Sequence, residues 1–140
     1  MKIVTILSAL LFSHTIFAEQ HQNVIDEGQA LFMQYCASCH GELAGIPMNK
    51  RPAPPIFMVK RHYTGTYPDE MTFVDAMADW VETRDVSTSL MPGAIRRYNL
   101  MPEIVVERSK VEKIAAYIFN TRMNLPASFE HHYKRQHGLN

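Results

Sequence analysis

The chain has 140 residues, with 14 basic and 14 acidic side chains, no net formal charge and 46% hydrophobic residues. That length allows one ordinary domain, and the balanced charge argues against a nucleic-acid binder, which relies on a basic excess. Two cysteines, Cys36 and Cys39, are too few and too close together to form a disulfide scaffold.

Residues 1–18 read MKIVTILSALLFSHTIFA, with one cation at Lys2, an apolar run from Ile3 to Phe12 and a small residue, Ala18, before Glu19. This order is that of a secretory signal peptide. The run is shorter than the roughly 20 residues a membrane-spanning helix needs. Ile16 stands where a small residue is usual, so an uncleaved anchor is the alternative to cleavage after Ala18. Either outcome puts residues 19–125, the expected domain, outside the cytoplasm, and no later apolar run reaches spanning length.

The spacing of Ile25, Gly28, Phe32 and Tyr35 predicts an amphipathic helix over 24–35, capped by Asn23. Gly28 costs such a helix about 1 kcal/mol, which points to a packing reason for it. Residues 41–55 carry Gly41, Gly45, Pro47, Pro52, Pro54 and Pro55 and read as a loop. A second helix is expected over 69–82, with Phe73, Val74, Met77, Trp80 and Val81 inward and Asp69, Glu70, Asp75, Asp79 and Glu82 outward. Residues 83–108, broken by Met91-Pro92-Gly93 and Met101-Pro102, read as an extended surface path. A last helix starts at a capping box, Ser109 with Glu112, and buries Val111, Ile114, Ala115 and Ile118. Residues 126–140 form a polar, His-rich tail, and no segment alternates like a strand, so the class is all-α.

The chemistry lies in Cys36-Ala37-Ser38-Cys39-His40. C-x-x-C-H is the attachment signature of c-type haem. Two thiols three positions apart on a helical turn can each add to a vinyl group, and the following imidazole can bind the iron. Two other readings use the same residues. A Cys36–Cys39 disulfide for thiol exchange normally follows a strand at a helix start, whereas here a helical pattern runs into Cys36. A zinc site needs two more ligands, and His62, His131, His132 and His137 show no partner spacing.

Around this motif the chain resembles the class I c-type cytochromes over roughly residues 23–122. Gly28, Phe32 and Cys36 match the spacing of the family's first helix, and Ile114 and Tyr117 match the residues that its last helix brings against that glycine. The resemblance implies one covalently bound haem c, terminal helices that cross, and His40 as proximal ligand. It also implies a methionine, often followed by proline, as the distal ligand. Met101 lies sixteen residues before Tyr117, a family-like interval, and Met91 lies twenty-six before it and is the runner-up. Relatives direct the free His N–H to the carbonyl of a proline about a dozen residues downstream. Pro52 fits, with Pro54 and Pro55 close by.

Arg96 and Arg97 are candidates for neutralising the haem propionates, and Trp80, Tyr63 and Tyr67 for either core or haem contacts. Met48, Met58, Met71 and Met77 read as core filler. The function implied is a periplasmic single-electron carrier working between a donor and an acceptor redox protein, not an enzyme, and a monomer or a subunit of a redox complex. An open-site haem enzyme or sensor would need a distal His or Arg, for which only His62, Arg96 and Arg97 are at hand.

Overall fold

The structure is a computed structural model that describes residues 4–41 and 46–138. Seven helices and no strand occur among them: α1 (Val4–Tyr35), α2 (Ala37–His40), α3 (Ile56–Thr66), α4 (Glu70–Thr83), α5 (Pro92–Tyr98), α6 (Arg108–Asn120) and α7 (Ala127–His137). Two 3-10 turns, Met48–Lys50 and Val86–Thr88, punctuate the connections. The all-α expectation holds.

α1 is far longer than the helix expected over 24–35. No Gly or Pro interrupts residues 4–27, so nothing ends a helix there, and Asn23 lies inside the helix instead of capping it. α4 falls within a residue of its expected bounds. Asp69 caps it by accepting a bond from the Thr72 N–H at 3.0 Å, and Arg84 closes it in the left-handed region with φ 49°.

α6 matches its expected stripe, with Val111, Ile114, Ala115 and Ile118 buried, but the capping box does not form. Its N-cap is Glu107, with no side-chain bond, and Glu112 instead accepts from Arg108 at 3.0 Å. Arg108 also reaches Asp79 at 2.8 Å and Glu82 at 2.9 Å. The acidic outward face of α4 thus gathers one arginine from α6.

α3 has no counterpart among the expected elements, and the extended path over 83–108 contains α5. α5 opens on Pro92, whose missing N–H has no partner to lose in a first turn, and ends at Asn99 with φ 67°. Residues 127–137 are not an irregular tail. Phe129 and Tyr133, one turn apart on α7, are buried against Phe57 of α3. Of the four methionines read as filler, Met77 is buried and Met58 is half-buried against α7, while Met48 and Met71 are exposed.

The main core gathers Phe32 from α1, Ile56, Val59 and Tyr63 from α3, Phe73 and Met77 from α4, and Ile114, Ala115 and Ile118 from α6. Lys60 ties α3 to the end of α6, donating to the carbonyls of Phe119 at 2.6 Å and Thr121 at 2.7 Å. α1 and α6 cross at Gly28. A Cβ there would collide with the Lys113 carbonyl oxygen and come within 2.9 Å of Tyr117 Cβ. Phe32 and Tyr117 meet beside the crossing with ring centroids 5.7 Å apart, and Lys113 pairs with Glu27 at 2.7 Å.

Because the colliding atom is backbone, it cannot swing aside. Gly28→Ala is therefore expected to cost about 3 kcal/mol, the upper end for overpacking, in denaturant unfolding of the purified protein. A loss below about 0.5 kcal/mol would show that the crossing is not close.

Candidate haem site

Cys36 interrupts the helical path between α1 and α2. Its N–H still donates to the Phe32 carbonyl at 2.9 Å, and its own carbonyl accepts from Cys39 N–H at 3.1 Å and His40 N–H at 2.8 Å. The tight turn puts both thiols and the imidazole on the wall of one cleft. Both thiols are free, Cys36 half-buried against the core and Cys39 exposed. Burial first, and then the neighbouring Cys39, pushes the Cys36 thiol up to about 11.

His40 Nδ1 lies 2.8 Å from the Pro54 carbonyl. A carbonyl only accepts, so Nδ1 carries the proton and Nε2 keeps its lone pair for a metal. Burial holds the imidazole below its ordinary value, partly offset by this bond. The acceptor is Pro54, not Pro52. Pro54 lies next to Pro55, the N-cap of α3, so its carbonyl is set by a buried helix start, whereas Pro52 is an exposed residue of the cleft rim.

The cleft encloses about 1270 Å³ of atom-free space, open solvent at its mouth included. Its walls are apolar, from Phe32, Ile56, Val59, Ile114 and Ile118. Among the described residues, no Asp, Glu, Lys or Arg lines it. A haem needs such walls, two thiols on one turn and an imidazole with a free Nε2, and the residues present fit it. Among the described residues no group of three or more His, Cys, Asp or Glu side chains is placed to hold a metal ion.

Both Met-Pro steps reach this cleft. Met101 lines it from the segment before α6, and Met91 lines it at the start of α5, where it also packs on the core. Trp80 and Tyr63 line it too, while Tyr67 packs on the core outside it. Arg96 and Arg97 are exposed and do not line it; Arg97 lies over the Tyr98 ring, 5.5 Å from its centroid. His62 is also elsewhere, on the face of α3 that meets α7.

Tyr98 and Ile95 form part of the wall that the sequence reading missed. Tyr98 donates to the Met48 carbonyl at 3.4 Å and so links α5 to the loop after the cysteine motif. Fifty residues separate the partners, and no local pattern announces such a contact. α5 itself does have a sequence signal, a proline at its first position.

Comparison with known proteins agrees with this geometry. The family described as cytochrome c oxidase, cbb3-type, subunit III matches residues 23–118, from Asn23 to Ile118. An uncharacterized protein of Aquifex aeolicus (strain VF5) is 24% identical over 149 aligned positions, covering 95% of each chain. No solved structure gives a significant match. With its helices crossing at Gly28 and its C-x-x-C-H turn on an apolar cleft, the chain belongs to the cytochrome c domain family described as cbb3-type oxidase subunit III.

Proposed function

We propose that this cytochrome c domain works as an exported single-electron carrier, with Cys36 and Cys39 holding haem covalently, His40 binding the iron through Nε2 and Met101 supplying the distal sulfur. The observation that carries this reading is the His40–Pro54 bond at the edge of an apolar cleft whose wall includes Met101. Haem held in this way supplies one-electron exchange, at a potential raised by thioether ligation. The chain's own residues do the rest. Pro54 fixes the ring plane and tautomer of His40, and the aliphatic walls exclude water. Among the described residues the lining has no carboxylate, Lys or Arg to move a proton on a bound substrate, which favours a carrier over an open-site enzyme. Arg96 and Arg97, exposed on α5, face solvent or a partner.

The family description favours a second reading, in which the domain serves as a cytochrome subunit of a larger redox complex. Residues 1–18 are read as an export signal, and no helix among the described residues is long and apolar enough to cross a membrane.

Purification of the native protein tests export and assembly together. The expected product is a soluble monomer from the periplasm whose intact mass is Glu19–Asn140 plus one haem. Co-purification with partner proteins would favour the subunit reading instead, and retention of residues 1–18 would make them an anchor. Cys36→Ala combined with Cys39→Ala is expected to remove the haem mass altogether.

Absorption spectra assign the distal ligand. Met101→Ala is expected to lose the sulfur-to-iron band and to lower the midpoint potential, while Met91→Ala keeps both; the reverse outcome would exchange their roles. Voltammetry separates the two prolines. Pro54→Gly, which frees the backbone that holds the acceptor, should raise the potential by weakening electron donation from His40, and Pro52→Gly should leave it unchanged.

A further inference from the structure

α3 has two working faces. Ile56, Val59 and Tyr63 line the cleft, while Phe57, Arg61 and His62 meet α7. The second face is built from rings and charges. Phe129 meets Phe57 edge-on at 5.5 Å, and Tyr133 sits close enough to α3 that a Cβ on Gly65 would lie 2.5 Å from its hydroxyl. The Arg61 guanidinium lies 4.0 Å from the Tyr133 ring centroid, and its Nε pairs with Glu130 at 3.4 Å.

His62 sits at the centre of this contact. Its Nδ1–H donates to the Met58 carbonyl at 2.8 Å, which leaves Nε2 as the site for a second proton. Its ring meets Tyr133 edge-on at 5.0 Å, Phe129 at 6.3 Å and His137 at 5.5 Å. The charged and titratable groups around it are Arg61 on its own helix and Glu130, His132, Tyr133 and His137 on α7. Glu130, the one anion of this set, is committed to Arg61. Tyr133 is already used by the Arg61 cation and by the His137 ring stacked on it at 4.2 Å. An imidazolium at position 62 would thus stand half-buried beside a guanidinium and two further histidines.

We propose that His62 is a proton-operated latch: as the neutral imidazole it holds α7 on α3, and as the imidazolium it releases α7. Burial lowers the proton affinity of His62 in the docked state, with His137, Arg61 and His132 adding to the effect and the Met58 bond opposing it. Docking is therefore favoured above the ordinary histidine value of about 6.5 and weakens as the pH falls below it, because the undocked chain binds the extra proton.

The latch also reaches the haem side, a consequence that rests on the ligation proposed above. Pro55 is the N-cap of α3, and the neighbouring Pro54 holds His40. Loosening α7 removes the support behind the helix that sets this carbonyl. His62 is then a positioning residue for His40.

Hydrogen exchange on the full-length holoprotein tests the latch, with protection in residues 127–137 corrected for the intrinsic rate at each pH. Between about pH 7.5 and 5.5 the wild type is expected to lose roughly tenfold in protection there, with α1 and α6 unchanged. His62→Gln, a neutral side chain that can still donate to Met58, should lose less than about twofold. Constant wild-type protection, or an equal loss in His62→Gln, overturns the latch. The midpoint potential should vary with pH in the same window more in the wild type than in His62→Gln, and identical profiles overturn the link to His40. If α7 responds as expected but Met101→Ala leaves the sulfur-to-iron band intact, the ligand assignment fails and the latch stands.

Discussion

The fold depends on the close approach of two backbones at Gly28. α1 and α6 can cross at that distance only because no Cβ intervenes, and the crossing sets the direction in which α1 leaves the core. A helix rises 1.5 Å per residue, so Cys36 follows about 12 Å further along a rigid rod. The cysteine turn, with its bonds from Cys39 and His40 back to the Cys36 carbonyl, is thus aimed by a contact two turns away. α6 in turn supplies Val111, Ile114, Ala115 and Ile118 to the cleft wall. One crossing positions both the attachment point and the surface opposite it.

The cleft separates the tasks of a redox domain among different elements. The turn after α1 brings two thiols and an imidazole to the cleft wall, and the segment before α6 brings Met101 to it. α3 contributes aliphatic wall residues, and the proline next to its start holds the histidine. Among the described residues the lining is largely aliphatic and aromatic, without a carboxylate, Lys or Arg. Charge is kept outside, in Arg108 with its acidic neighbours and in the exposed Arg96 and Arg97.

α7 adds a layer beyond the residues matched by the family. It is a polar helix held by two rings, and its partners on α3 include a histidine and an arginine instead of further aliphatics. Such a contact is strong enough to order a helix but remains sensitive to protons. That face of α3 lies behind the cleft wall, so a change outside can reach the haem side without any new group entering the site.

The sequence by itself determined the features written in short-range patterns. The C-x-x-C-H turn and the inward stripes of α4 and α6 depend on residues one to four positions apart, and local periodicity reveals them, while the crossing at Gly28 was legible only through the family resemblance. Tertiary structure alone decided what depends on partners far apart in the chain. Pro54 took the histidine bond because it adjoins the buried start of α3, Glu112 left the capping box for Arg108, which also reaches carboxylates on α4, and residues 127–137 became a helix because Phe129 and Tyr133 found Phe57 some seventy positions earlier. The length of α1 shows the same divide from the other side: a cap at Asn23 is plausible locally, but a helix ends only where something breaks it, and residues 4–27 hold no Gly or Pro.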